Sequence, residues 1–233
     1  MLDFLSSVFY DFLGYFIDIL LRLPAVIIAI TVHEFAHAFV AYKLGDNSAR
    51  AMGRLSLNPI KHIDPVGFLC LLLFRFGWAS PVPVNSRNFK NPKLGLFLTS
   101  IAGPLSNLIL AFGGCFVYTA FSLLAQFCNT NFLVISYALI SNAIGSFCLI
   151  NVTLAIFNLI PLPPLDGFKI LSLIIPKHSY KAMMKYEKYF ALGFMVILLI
   201  DFYFFAYISD ALLMGANFIL NTCFMPLFNM IFY

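Results

Sequence analysis

Thr31-Val32-His33-Glu34-Phe35-Ala36-His37 sits inside an apolar run covering residues 24–42. Two His at i and i+4 project from one face of a helix, close enough together to ligate one metal ion. Glu34, beside them, suits the part of a general base acting on water held at such an ion. Two imidazoles and a carboxylate at lipid depth are costly unless something compensates them. A single zinc ion would do so, and the stretch therefore points to a hydrolytic zinc site within a membrane.

The rest of the chain fits a membrane setting. Of 233 residues, 62% are hydrophobic and 10% charged, whereas a soluble domain is about half apolar and a quarter charged. The apolar excess is too large for one water-soluble core and implies an all-α polytopic membrane protein. Hydropathy predicts about six transmembrane segments, at residues 2–21, 24–42, 94–127, 132–159, 190–207 and 211–231, most near or above the ~20 residues that span a bilayer. Arg22 and Pro24 are expected to break the first segment from the second. Asp3, Asp11 and Asp18 interrupt segment 2–21, which could instead lie at the interface.

Eight of the fourteen Lys and Arg fall between Lys43 and Lys93, and five between Lys169 and Lys188. The positive-inside rule then makes these loops and both termini cytoplasmic, and the turn at 128–131 external. The basic residues are spread over loops without a nucleic-acid-binding module, so nucleic acid is not an expected partner. Cys70, Cys115, Cys128, Cys148 and Cys223 form no C-x-x-C pair, and they read as small packing residues. The N-terminus has neither the basic region nor the cleavage site of a signal peptide.

Between residues 45 and 93, Gly, Pro, Asn and charged residues dominate. Residues 66–76 form an apolar run too short to span, carrying Arg75, and read as a re-entrant element in a membrane-associated loop. The alternation in Pro81-Val82-Pro83-Val84-Asn85 suits a short extended edge strand. Arg54 and Arg75 read as membrane-surface anchors. His62 and His178 read as ordinary hydrogen-bonded or solvated residues, with His62-Ile63-Asp64-Pro65 capping or shaping the loop. Lys177 to Lys188 reads as a solvated connector. Asp201 and Asp210 flank a helix end, Asp201 being either an intramembrane functional residue or an interfacial one.

A catalytic zinc site ordinarily takes a third protein ligand and leaves the fourth position open. Asp166 is the candidate. It closes Asn158-Leu159-Ile160-Pro161-Leu162-Pro163-Pro164-Leu165-Asp166-Gly167, where three prolines end a helix. Irregular backbone at membrane depth is tolerated only where it is buried in protein or lines a wet cavity, so the break aims a carboxylate into the bundle. Gly167 is expected to permit a tight turn. Ser100, Gly103 and Asn107 share one helix face, and Cys148, Asn151, Ala155 and Asn158 another. Asn107 and Asn151 suit helix packing or the site equally, whereas Asn158, beside the break, suits hydrogen bonding to substrate or oxyanion.

Taken together, His33-Glu34-Phe35-Ala36-His37, Gly103-Pro104-Leu105-Ser106-Asn107 and the stretch from Asn158 to Gly167 resemble the site-2 protease family of intramembrane zinc metalloproteases. Asn58-Pro59 through Gly67 and residues 81–85 are similar to its bacterial members. The resemblance covers residues 24–175, the catalytic core of a single domain over 1–233, with further helices at 189–231. It implies a zinc metalloendopeptidase of the bacterial cytoplasmic membrane that holds one Zn2+ on His33, His37 and Asp166 and uses Glu34 as general base and acid. The substrate it implies is a transmembrane helix, cleaved in regulated proteolysis or in clearance of signal-peptide remnants, with Pro81, Val82, Pro83, Val84 and Asn85 clamping the unwound chain as an added strand. The larger relatives' PDZ and nucleotide-binding regulatory domains are not expected here. The competing class is a membrane zinc transporter or metal-binding protein, but transport sites sit at repeat interfaces and no repeat is visible.

Overall fold

A computed structural model describes residues 2–74, 77–124, 131–176, 185–201 and 207–226. Arg75, Cys128 and His178, and most of the connector from 177 to 188, lie outside the described residues. The fold is all-helical: α1 (Leu2–Lys43), α2 (Ser48–Ala51), α3 (Pro65–Phe74), α4 (Pro92–Leu124), α5 (Asn131–Leu159), α6 (Asp166–Leu171), α7 (Glu187–Ile200) and α8 (Tyr207–Phe218), the last continuing as a π-helical stretch, Ile219–Phe224.

The expected break at Arg22 and Pro24 does not occur. α1 is one helix of 42 residues with Pro24 inside it. A proline removes one intrahelical bond, but a full break among these apolar flanks would strand several backbone groups away from water. The turn before Pro24 is also held by an Arg22 Nε to Asp18 Oδ1 ion pair of 2.8 Å at i,i+4. Among the described residues, three stretches are long and apolar enough to cross a membrane: Leu13–Lys43, Pro92–Leu123 and Ser136–Leu159.

α4 packs against α1 and α5, and α5 against α8. Small side chains let them approach closely: Ala111, Cys115, Cys148, Val152 and Ala216 are buried together with Leu220. A Cβ on Gly114 would come within 2.7 Å of Cys148 Sγ. Cys115 and Cys148 pack as expected, whereas Cys70 is half-buried and Cys223 exposed; all four are unbridged.

The loop between α1 and α4 is built from local caps. Asp64 Oδ1 accepts the Gly67 N–H at 2.8 Å at the start of α3, with Pro65 at the first helical position, the N-terminal arrangement proline favours. α3 accounts for most of the apolar run at 66–76. His62 is fully buried, and its Nε2 pairs with the Ser56 carbonyl at 2.7 Å, so it is a hydrogen-bonded rather than a solvated histidine. The Arg54 guanidinium is turned onto the Lys61 carbonyl and donates to Ser80 Oγ at 2.7 Å, which ties the loop together. The expected edge strand does not pair into a sheet. Among the described residues the β pairing is an isolated antiparallel bridge, Ile63 to Ala79. Residues 81–85 carry no regular structure, Asn85 being extended at φ -110, ψ 100, and they find no ladder partner among the described residues: Pro81 and Pro83 have no N–H and the N–H groups of Val82 and Asn85 go to side-chain carboxylates. Asp201 caps α8, accepting from the Ile208 and Ser209 N–H groups at 2.9 and 3.0 Å. Asp210 lies in that helix's first turn.

Candidate metal centre and active site

α1 delivers His33 and His37, one turn apart on the face turned towards α4. α5 ends at Leu159, the proline-rich stretch loops back, and α6 begins at Asp166. Gly167 has no left-handed backbone. It is needed for close approach, since a Cβ there would collide with the Leu159 and Ile160 carbonyl oxygens. The tight contact seats Asp166 against α1.

Three donor atoms converge. His37 Nε2 lies 2.9 Å and His33 Nε2 3.1 Å from Asp166 Oδ2, and the two Nε2 atoms are 3.0 Å apart. All three residues are buried. The hydrogen bonds behind them define the proton positions. His37 Nδ1 meets the Thr99 backbone carbonyl at 2.6 Å; a carbonyl only accepts, so Nδ1 carries the proton. His33 Nδ1 meets Asn107 Oδ1 at 2.8 Å. Asn107 Nδ2 donates to Asn151 Oδ1 at 3.1 Å, and Asn151 Nδ2 donates to the Phe147 carbonyl at 2.9 Å. The chain ends on a group that only accepts, and this orients both amides and puts the proton of His33 on Nδ1 as well.

With neutral imidazoles, both Nε2 lone pairs and a carboxylate oxygen therefore face one another at about 3 Å. That arrangement is repulsive unless a cation or protons lie between them. Two imidazoles and a carboxylate, each His held through its far nitrogen, form the donor set and outer support of a zinc site. Three protein donors leave a fourth position of a tetrahedral ion open. Gly103 makes room for the two rings: a Cβ there would lie 2.6 Å from His33 Nε2 and closer still to His37 Nε2. Lys169 Nζ donates to Asp166 Oδ1 at 2.9 Å, so the oxygen turned away from the histidines is occupied.

Glu34 lines the same cavity, of about 890 Å3, with His33, His37, Val82, Asn158 and Asp166. Its Oε2 accepts the Val82 N–H at 3.0 Å. Val84 and Pro81 also face the cavity, so the 81–85 strip borders the candidate site. Asn158 lines it, with Nδ2 donating to the Leu154 carbonyl at 3.0 Å. Asn107 stands fully buried behind His33, holding the ring. Two contributors escaped the sequence reading: the Thr99 carbonyl, which leaves no signature, and Lys169, whose i+3 spacing from Asp166 was a usable signal.

Residues 22–201 match the family model for peptidase family M50. The chain belongs to peptidase family M50. It is 45% identical over 174 residues to YwhC of Bacillus subtilis, described as a candidate zinc metalloprotease, covering 75% of this chain and 76% of that one. Rip2 of Mycolicibacterium smegmatis, described in the same terms, is 26% identical over 75% of this chain and 63% of its own length. Rip2 of Mycobacterium tuberculosis is 28% identical over 74% of this chain and 63% of its own. No solved structure matches. The M50 match takes in every residue of the candidate metal centre.

Proposed function

We propose that this M50 chain is an intramembrane zinc metalloprotease that hydrolyses peptide bonds in the membrane-spanning segments of other proteins. One observation carries the reading: two imidazoles and a carboxylate turn their lone pairs onto a single point, next to a second carboxylate in a shared cavity. Zinc bound there supplies Lewis acidity and lowers the pKa of water towards about 7.

Glu34 takes the proton from the attacking water and later gives it to the leaving amine. Asn158, on the cavity wall, is offered as a hydrogen-bond partner for the substrate carbonyl. Asn107 and the Thr99 carbonyl hold the histidine rings in the required tautomer. A helical substrate keeps its carbonyls in its own hydrogen bonds and must unwind before attack. The 81–85 strip is the edge on which we propose the unwound chain docks.

The whole chain is read as one catalytic domain in the bacterial cytoplasmic membrane. Its basic loop 43–93 supports a cytoplasmic location for that loop. The unbroken α1 removes the reversal on which a cytoplasmic N-terminus depended, so residue 13 is assigned to the opposite side. α3, at 10 residues, is about 15 Å long and too short to cross, and we read it as dipping into the membrane.

The test is Glu34→Gln in purified, detergent-solubilised protein, with fluorescein-labelled casein and a single-span helical protein as substrates. The variant is expected to keep one zinc per chain and to lose cleavage of both by at least about a hundredfold. Cleavage near the wild-type rate by the zinc-loaded variant would refute the role of Glu34, and zinc flux across vesicles without any proteolysis would support a transporter instead.

A further inference from the structure

Asp46 lies three residues past the end of α1, is fully buried, and has no part in the chemistry above. Its N–H donates to the Ala41 carbonyl at 2.9 Å, and Gly45, at φ +108, makes the reversal that tucks it back against the helix. Both carboxylate oxygens are engaged. Oδ1 accepts the Ser48 N–H at 3.1 Å, the Ser48 hydroxyl at 2.6 Å and the Asn88 side-chain amide at 2.7 Å. Oδ2 accepts the Asn85 backbone N–H at 2.7 Å. Holding α2 would need only the bonds to Ser48. The others reach across the sequence to the far end of the 81–85 strip.

At its near end that strip donates the Val82 N–H to Glu34 Oε2 at 3.0 Å. The strip is thus fastened to the catalytic helix and its C-terminal turn at two carboxylates. Pro81 and Pro83 have no N–H, so the strip owns three: those of Val82, Val84 and Asn85. Two are committed to α1 and its turn. Val84 borders the cavity, and among the described residues its N–H has no acceptor within hydrogen-bonding distance. A slip of one residue either way would put a proline where the Val82 donor stands, and a slip in one direction would put Pro83 in place of Val84, so the alternation makes register decisive.

We propose that Asp46 is a positioning residue for substrate binding, fixing the register of the 81–85 strip so that the Val84 N–H is offered to an extended substrate chain in the cavity. The inference rests on the strip being the docking edge. Asp46 acts through Asn85 and touches neither substrate nor metal.

Asp46→Asn tests it. The three donors around Oδ1 keep the amide oxygen on their side, which turns the new NH2 against the Asn85 N–H and removes the register bond alone. Adding Asn88→Asp gives that NH2 a carboxylate partner, and the Ser48 hydroxyl can accept its second hydrogen, so the amide turns and its oxygen accepts from Asn85 again at the expense of the longer Ser48 N–H bond. The full-length, zinc-loaded protein in detergent is assayed with fluorescein-labelled casein, an unfolded probe, for KM, kcat and zinc per chain. Asp46→Asn is expected to keep its zinc, to raise KM by about tenfold or more, as loss of one hydrogen bond to a charged group does, and to change kcat by less than about threefold. The double variant is expected to recover most of the KM. An unchanged KM in Asp46→Asn overturns the proposal, as does loss of zinc in step with activity, or a double variant no better than the single one. Val84→Pro, run alongside, separates the two levels. If it raises KM while Asp46→Asn does not, the role of Asp46 fails and the docking edge stands. If neither moves KM, the docking edge itself fails.

Discussion

Replacing Asn107 with alanine probes how the metal centre is held. Asn107 is fully buried and accepts the His33 Nδ1 proton at 2.8 Å, while its own amide donates to Asn151. Alanine would leave two buried polar groups without partners, His33 Nδ1–H and Asn151 Oδ1, each at a cost of about 1–3 kcal/mol. The imidazole can relieve part of this by moving its proton to Nε2, the nitrogen that has to face the metal. Zinc binding must then expel that proton, and the ring is no longer oriented. Loss of such a support typically weakens metal binding about ten- to a hundredfold, which is about 1.4–2.7 kcal/mol. Thr99→Ala is the matched control. His37 is held by the Thr99 backbone carbonyl, which the substitution leaves in place, so its zinc affinity should stay within about threefold of wild type. Competition against a chromophoric chelator of known affinity, at neutral pH in detergent, measures both. An Asn107→Ala affinity within about threefold of wild type, or an equal loss in Thr99→Ala, would refute this assignment of the tautomers.

Two further outcomes are expected. Gly103→Ala should lower the thermal stability of the metal-free protein, because the collision of its Cβ with two buried, hydrogen-bonded rings outweighs the about 0.5–1 kcal/mol by which alanine is favoured over glycine inside a helix. Its methyl would press on both imidazoles, and zinc content measured by atomic spectroscopy should fall to near zero; normal zinc binding would show that the rings have slack. Burial alone would push the Asp46 carboxyl up, but hydrogen bonds from Ser48, the Asn85 N–H and Asn88 outweigh it and hold it below its ordinary value of 3.8. A carboxyl depressed in the folded state lends stability that is complete above the unfolded value and is lost as pH falls through the folded one. Hydrogen exchange across residues 82–88, corrected for intrinsic rates, should therefore lose protection only below about pH 3.8, and equal protection at pH 5 and at markedly lower pH would contradict it.

What was legible in the sequence was what local geometry dictates. The i,i+4 spacing of His33 and His37 puts both rings on one face wherever the helix lies, and a proline-rich exit ending in Asp166 leaves a buried carboxylate few partners. Pro24 misled because a single proline signals a break only if the flanking backbone can find water, and here the flanks are apolar. The absence of helix over residues 81–85 was visible in the alternating prolines. The destination of its N–H groups was not, because Glu34 and Asp46 are distant in sequence and an acceptor on another element has no local signature. The Thr99 carbonyl could not be read at all, since every residue carries one. Asn107 was recognised as a candidate but left between packing and the site, and only the three-dimensional relay through Asn151 to Phe147 shows which nitrogen of His33 it fixes.

Zinc K-edge X-ray absorption on the purified protein tests most directly whether His33, His37 and Asp166 hold the metal. The expected result is one zinc per chain, with a first shell of nitrogen and oxygen at about 2.0–2.2 Å and the outer-shell scattering of two imidazoles. One imidazole should disappear in His33→Ala. A first shell containing sulfur at about 2.3 Å, or protein that cleaves its substrate while holding no zinc, would contradict the assignment of His33, His37 and Asp166 as the metal centre.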